Sequence, residues 1–223
     1  MAPPPFVRAV SHGLYQDNMR AAIQALKYDR MHPAARPLGR MLAHAISGLA
    51  AEAPAEMLVV PVPLHRTKYA ERGFNQARSL AVYALASLKK THPEWRLGLA
   101  SSTLMRLRPT ESQAGLTPRQ RRMNVRGAFS VSDAAAVTLK HVLVIDDILT
   151  TGSTARAAAQ ALREAGAASV WVATLARARQ LHDRRGSLAR FMEDEDVYGL
   201  PGLAATSILV KESIHSSHDQ PSF

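Results

Sequence analysis

The chain has 223 residues, 47 % hydrophobic and 21 % charged, so it reads as one globular domain, or one domain with a small appendage. It contains no cysteine, which excludes a disulfide framework, a cysteine-based zinc site, an iron–sulfur cluster and a cysteine nucleophile. Lys and Arg total 28 against 18 acids, and the net charge of +10 suits nucleic acid, acidic lipid or phosphorylated small molecules without choosing among them.

No apolar run reaches the roughly 18 residues of a spanning helix. The amino terminus lacks a basic start before an apolar core, so neither a membrane span nor a signal peptide is expected, and the cytoplasm is the expected location. Prolines at positions 3–5 stiffen the start, and residues 1–14 are expected to be a flexible segment. Asp17 is placed to cap a helix carrying Met19, Ile23, Leu26 and Lys27, whose apolar positions recur at helical spacing. Residues 34–53 read as a second helix with Pro37 in its first turn. The run from Met57 to Pro63 is apolar and bounded by prolines, as in a buried strand feeding a loop.

Residues 64–73 read as a polar loop rich in Lys and Arg, and Gln76 to Leu88 as a helix. The stretch 106–127 is polar and basic, with six arginines against the single acid Glu111. Val142 to Ile145 is a continuous apolar strand. It ends in Asp146-Asp147, passes through Ile148-Leu149-Thr150-Thr151-Gly152-Ser153-Thr154, and enters a helix that runs to Glu164 and stops at Gly166, a natural C′ glycine. Ser169 to Leu175 is the next strand. Strand, helix, strand in this register is a βαβ unit, and a second runs from Val59 through the helix at 76–88. The expected fold is α/β, a parallel sheet flanked by helices, over residues 15–177. Residues 178–223, with the acidic run Glu193 to Asp196, are expected to be a largely disordered tail.

In an open parallel sheet, ligands bind beyond the carboxyl ends of the strands, where Asp146 and Asp147 sit. Gly152 lets a ligand approach the backbone, the hydroxyls of Thr150, Thr151, Ser153 and Thr154 donate, and the helix N-terminus favours an anion. That is a phosphate cradle. Two adjacent carboxylates can accept from vicinal sugar hydroxyls, so the pair of features suggests a ribose 5-phosphate. The lysine of a P-loop and the G-x-G-x-x-G dinucleotide fingerprint are absent. The string is also more than a strand end followed by a capped helix, where single Ser, Thr or Asp residues are common.

This string resembles the phosphoribosyl pyrophosphate (PRPP) motif of type I phosphoribosyltransferases, and the likeness extends to the competence protein F (ComF) family. It is carried by Val60 to His65 with Arg72 to Gln76; by Arg106 to Gln113, Leu116, Arg121, Arg122, Asn124 to Gly127 and Phe129; by the phosphate loop; and by Leu26-Lys27-Tyr28. The resemblance implies a type I phosphoribosyltransferase-like fold with a small hood, partly in residues 15–55. It implies that Asp146 and Asp147 face the ribose hydroxyls and that Thr150, Thr151, Gly152, Ser153 and Thr154 hold the 5-phosphate. Pro63, Leu64 and His65 fall where such enzymes form the pyrophosphate loop, often with a strained peptide. Residues 106–127 fall where they carry a lid. Mg²⁺ is implied as a cofactor that arrives with the pyrophosphate, with no direct protein ligand. Many members of the family begin with a cysteine-rich zinc segment, which has no counterpart in this sequence.

Several roles stay open at this level. Lys68 and Arg72 clamp pyrophosphate or belong to a solvated basic loop. Asn75 and Gln76 orient a ligand or cap a helix. Arg122 and Arg121 stabilise leaving-group charge, bind nucleic-acid phosphates, or do neither; Gln113 is a lid candidate. His65 does acid–base chemistry or makes a structural hydrogen bond. As an enzyme, the chain would transfer ribose 5-phosphate from PRPP to an unknown acceptor. As a binding module, it would handle single-stranded DNA beside competence-machinery proteins, or sense PRPP. The basic stretch at 106–126 has no aromatic residue for base stacking, which weighs against the DNA reading.

Overall fold

A computed structural model describes residues 3–28, 32–109, 120, 125 and 127–178. In chain order these form β1 (Ala9–Leu14), α1 (Asp17–Tyr28), a 3-10 turn (His32–Ala34), α2 (Ala35–Ser47), β2 (Glu56–Pro61), α3 (Arg66–Arg72), α4 (Gln76–Thr91), β3 (Arg96–Leu99), β4 (Leu104–Arg106), β5 (Phe129–Val131), β6 (His141–Leu149), α5 (Ser153–Glu164) and β7 (Ser169–Arg177). Five strands make one sheet in the order β1-β7-β6-β2-β3, with every neighbouring pair parallel. β4 and β5 pair antiparallel as a separate ribbon.

A parallel sheet is covered on both faces, so its inner strands β2, β6 and β7 are largely apolar and alternate their side chains between two cores. Leu143 and Ile145 of β6 join Met57, Val59 and Leu175 on one face, against Ile23 and Leu26 of α1, Leu42 and Ile46 of α2, and Leu80 and Leu88 of α4. The helices of residues 15–55, where a hood is expected, share this core. Val142 and Val144 face the other way, with Val60, Val170 and Val172, against Ala155, Ala158 and Leu162 of α5 and Leu104 and Phe129 of the ribbon. Among the described residues no helix is long and apolar enough to cross a membrane.

The structure corrects several expectations. Residues 9–14 are not a flexible segment but an edge strand, in register with β7 from Ala9↔Val172 to Leu14↔Arg177. Val10 packs on the core, and Ser11 shares a 2.7 Å hydrogen bond with Thr174. Residues 66–72 of the expected basic loop form α3. No residue of α3 is buried, so it shows no apolar period to read. It is closed by Gly73 at φ +77°, whose N–H donates to the Tyr69 carbonyl. α2 stops at Ser47 rather than near residue 53, because after Gly48 the chain tightens into turns such as Leu49 N–H to Ile46 O at 2.9 Å. Asp17 is the first residue of α1, at φ +45°, rather than its cap. Gly166 behaves as expected, at φ +92° directly after Ala165, the C-cap of α5. The tail from 179 onward lies outside the described residues.

Candidate functional site: two carboxylates beside a glycine-turned loop

β6, the central strand, runs on through both carboxylates. Successive strand residues face opposite sides, so Asp146 and Asp147 point apart. Asp147 is 6 % exposed and turns toward the helices. Its Oδ2 lies 2.7 Å from Lys27 Nζ of α1 and 3.5 Å from Gln76 Nε2 at the start of α4. Gln76 Oε1 accepts in turn from Arg72 Nη1 of α3 at 3.2 Å. Asp146 lines a small cavity on the other side with Thr150, Gly152, Ser153 and Thr154. Its Oδ1 accepts from the Asp147 N–H at 2.9 Å. Arg106, which ends β4, holds its guanidinium 5.3 Å from the centre of the Phe129 ring.

Burial, then the charge of Asp147, push the Asp146 carboxyl up to about 7, and the Asp147 N–H, Lys27 and Arg106 offset this only in part. Burial pulls Lys27 down, but Asp147 in contact, with Asp146 and Tyr15, more than offsets it and holds the ammonium above its ordinary value. Desolvation lowers Arg106, with Asp146 acting against it. A carboxyl raised on folding adds stability at low pH that is lost as pH rises through about 7. Asp146→Asn, neutral at every pH, is therefore expected to gain on the native protein by about 1–3 kcal/mol between pH 5 and pH 8, with a rise of about 2–4 °C in Tm per kcal/mol. Thermal unfolding of both proteins across that range checks it; a constant difference would contradict the raised carboxyl.

The loop after β6 turns at Gly152, which stands at φ +72° as the N-cap of α5 and offers no side chain to cap it. Thr151 Oγ1 lies 2.7 Å from Ser153 Oγ and accepts from the Ser153 N–H at 3.4 Å. The first turn of α5 carries no acidic residue. A helix N-terminus with this composition favours an anion.

The segment 61–76 runs on from β2, which pairs with β6, and reaches Asp147 through Gln76. No described peptide bond is cis, and Pro63, Leu64 and His65 lie outside the left-handed region. His65 is the N-cap of α3, with its Nδ1 2.9 Å from Thr67 Oγ1. Asn75 caps α4 by accepting from the Arg78 N–H at 3.2 Å, and its Nδ2 donates to the Val62 carbonyl at 3.0 Å. Asn75 thereby caps α4, one of the two roles left open by the sequence, and ties the end of β2 to the start of that helix. Lys68 is half-buried on α3.

Residues 97–198 match the family model of the phosphoribosyl transferase domain. The DNA utilization protein YhgH of Salmonella typhi is 35 % identical over 183 residues, covering 78 % of this chain and 74 % of the relative. Competence protein F of Haemophilus influenzae is 28 % identical over 178 residues, covering 78 % and 75 %. The chain belongs to the ComF family of phosphoribosyltransferase-like proteins. A solved structure of the allosteric regulatory enzyme of purine biosynthesis aligns with 64 % of this ComF chain and 25 % of its own length, at 23 % identity and TM-score 0.37.

Of the residues expected at this ComF site, the structure brings together Asp146, Asp147, Thr150 to Thr154 and, through Gln76, Arg72. Gln113, Arg121 and Arg122 lie outside the described residues. Two members of the site, Lys27 and Arg106, stand in the segments that carry the resemblance but had no role of their own expected from sequence. Lys27 follows Ile23 by four positions and Leu26 by one, so a charged residue on the apolar face of α1 was the available signal. Arg106 is placed by the pairing of β4 with β5. A larger concavity, about 990 Å³, lies at the opposite end of the sheet against Glu56, Trp95 and His141. It contains neither the carboxylates nor the glycine turn, and parallel sheets bind ligands at the carboxyl ends of their strands.

Proposed function

We propose that the protein binds PRPP at this site and transfers ribose 5-phosphate from it to an acceptor. The observation that carries this reading is the position of Asp146 in one small cavity with Thr150, Gly152, Ser153 and Thr154. An acceptor for sugar hydroxyls and a cradle for a phosphate lie side by side there. The loop N–H groups and hydroxyls would bind the 5-phosphate. Asp146 and Asp147 would accept from the ribose hydroxyls and lie near the positive charge that develops on the ribose as pyrophosphate leaves. Lys68 and Arg72 of α3 would hold the pyrophosphate. The donor set suits Mg²⁺ carried by the ligand's own oxygens, since Asp147 already holds Lys27 and Asp146 already accepts a backbone N–H. When bound there, Mg²⁺ would neutralise leaving-group charge. Arg122, Arg121 and Gln113 are proposed to act from the stretch that leaves β4 at Arg106.

Titration of PRPP with Mg²⁺ by calorimetry tests this. The native protein is expected to bind, and Asp146→Asn/Asp147→Asn to bind more than tenfold more weakly, at about 1.5–3 kcal/mol for each charge-assisted hydrogen bond. No heat and no thermal shift from the native protein would sink the transferase reading. A second reading is favoured by the net charge of +10 and by the names of the relatives: a module that handles single-stranded DNA with competence-machinery proteins, or senses PRPP, in the cytoplasm. DNA affinity that falls steeply across a salt series, without PRPP binding, would favour it.

A further inference from the structure

Asp147 is a buried acid with partners on the helix side of the sheet. It ends a polar chain that crosses three helices, from Arg72 of α3 through Gln76 of α4 to Asp147, with Lys27 of α1 on the same carboxylate. The Lys27 and Asp147 side chains are 15 % and 8 % exposed. Both contacts to Asp147, from Lys27 and from Gln76, fall on one oxygen, Oδ2.

We infer that Lys27 is a positioning residue: its ammonium holds Oδ2 of Asp147 in an ion pair and leaves Oδ1 to accept from the ligand. The inference rests on the phosphoribosyl reading above. A carboxylate buried beside a second carboxylate would take up a proton without a cation in contact. A protonated Asp147 would accept a sugar hydroxyl more weakly, because hydrogen bonds to charged groups are the stronger ones. The groups acting on Asp147 are Asp146 of its own strand, Lys27 of α1, Gln76 of α4 with Arg72 of α3 behind it, and Arg106 of β4 through Asp146. Tyr15 acts on Lys27 from the loop between β1 and α1. Among these cations only Lys27 is within ion-pair distance of Asp147. A lysine is the suitable cation, because a compact ammonium can reach one oxygen and leave the other exposed, whereas a guanidinium fork tends to take both.

The test is the pH profile of PRPP/Mg²⁺ affinity for the native protein, Lys27→Met and Lys27→Arg. Lys27→Met is expected to bind about tenfold or more weakly at pH 7, and its profile to move to higher pH by about one unit or more, the scale of losing an adjacent opposite charge. Lys27→Arg keeps the charge and is expected to leave the profile unmoved. A merely structural lysine would weaken binding without moving the profile, and that result, or native-like affinity in Lys27→Met, would overturn the inference. A second measurement needs no ligand: thermal unfolding of the Lys27→Met, Asp147→Asn and double variants. The double variant is expected to recover most of the Tm lost by Lys27→Met, including the case where Lys27→Met alone is unfolded at room temperature; additive losses would overturn the pairing. If the native protein binds no PRPP, the functional reading falls, and the unfolding cycle alone decides whether Lys27 sets the charge of Asp147.

Discussion

Gly39→Ala is expected to lower the unfolding temperature, although helix propensity alone predicts the opposite. Alanine stabilises a helix interior by roughly 0.5–1 kcal/mol relative to glycine. At Gly39 of α2, however, a Cβ would stand 2.4 Å from Tyr83 Cβ of α4, and 3.2 Å from both the Ala84 nitrogen and the Leu80 carbonyl oxygen. None of these is the end of a flexible side chain, so the two helices must move apart. Overpacking of this kind costs about 1–3 kcal/mol and occasionally more. It strikes the contact that buries Leu38, Leu42, Leu80 and Ala84. We expect a net loss of about 2 kcal/mol, or about 4–8 °C in Tm for a domain of this size. Gly98→Ala is the control, since its Cβ would meet only Leu58 Cδ2 at 4.0 Å; it should change stability by less than about 0.5 kcal/mol. A Gly39→Ala protein that melts at or above the native temperature would show that α2 and α4 do not cross this closely. The crossing also bears on the site, because α4 begins at Asn75 and Gln76, which tie down the end of β2 and Asp147.

The parallel sheet was legible because its strands are buried on both faces. Val142 to Ile145 and the run after Met57 are unbroken apolar segments, and each leads to a helix with an apolar stripe, α5 in the first case and, beyond the short α3, α4 in the second. What escaped had no such signature. α3 buries nothing, β3 is mostly exposed, and β1 alternates no apolar set because each of its residues is half-buried. The glycine-turned loop after β6 was readable for a different reason. Its residues are consecutive, so sequence order and spatial order coincide. The cations around the carboxylates are not consecutive: Lys27 and Arg106 come from 120 and 40 positions before the acids they serve, brought in by α1 and by the β4–β5 ribbon. Strand alternation could have told that Asp146 and Asp147 face apart. It could not have told which cation waits on each side.

Gly152→Val is expected to abolish ligand binding while leaving most of the fold intact. Gly152 stands at φ +72°, ψ 8°, a left-handed conformation that a β-branched residue rarely adopts. Space is not the obstacle, since a Cβ there would approach only Leu149 Cδ1, at 3.9 Å. The cost is in the backbone, roughly 1–2 kcal/mol for a residue held in this region. The loop can relieve it by rotating the peptide units around residue 152, and that rotation turns the N–H groups of the cradle away from the anion. The helix loses at most its first backbone bond, Arg156 N–H to the Gly152 carbonyl at 2.8 Å, because the core of α5 starts at Ala155. Valine should therefore lower Tm by about 2–8 °C, given about 2–4 °C per kcal/mol for a domain of this size. It should weaken PRPP binding by more than about a hundredfold, the loss of two or more hydrogen bonds to a charged group at about 1.5–3 kcal/mol each. Calorimetry beside Gly73→Ala separates the site from general strain, because Gly73 is also left-handed, at φ +77°, but closes α3 rather than the cradle. Equal losses of affinity in both variants would mean that the glycine turn after β6 holds no phosphate.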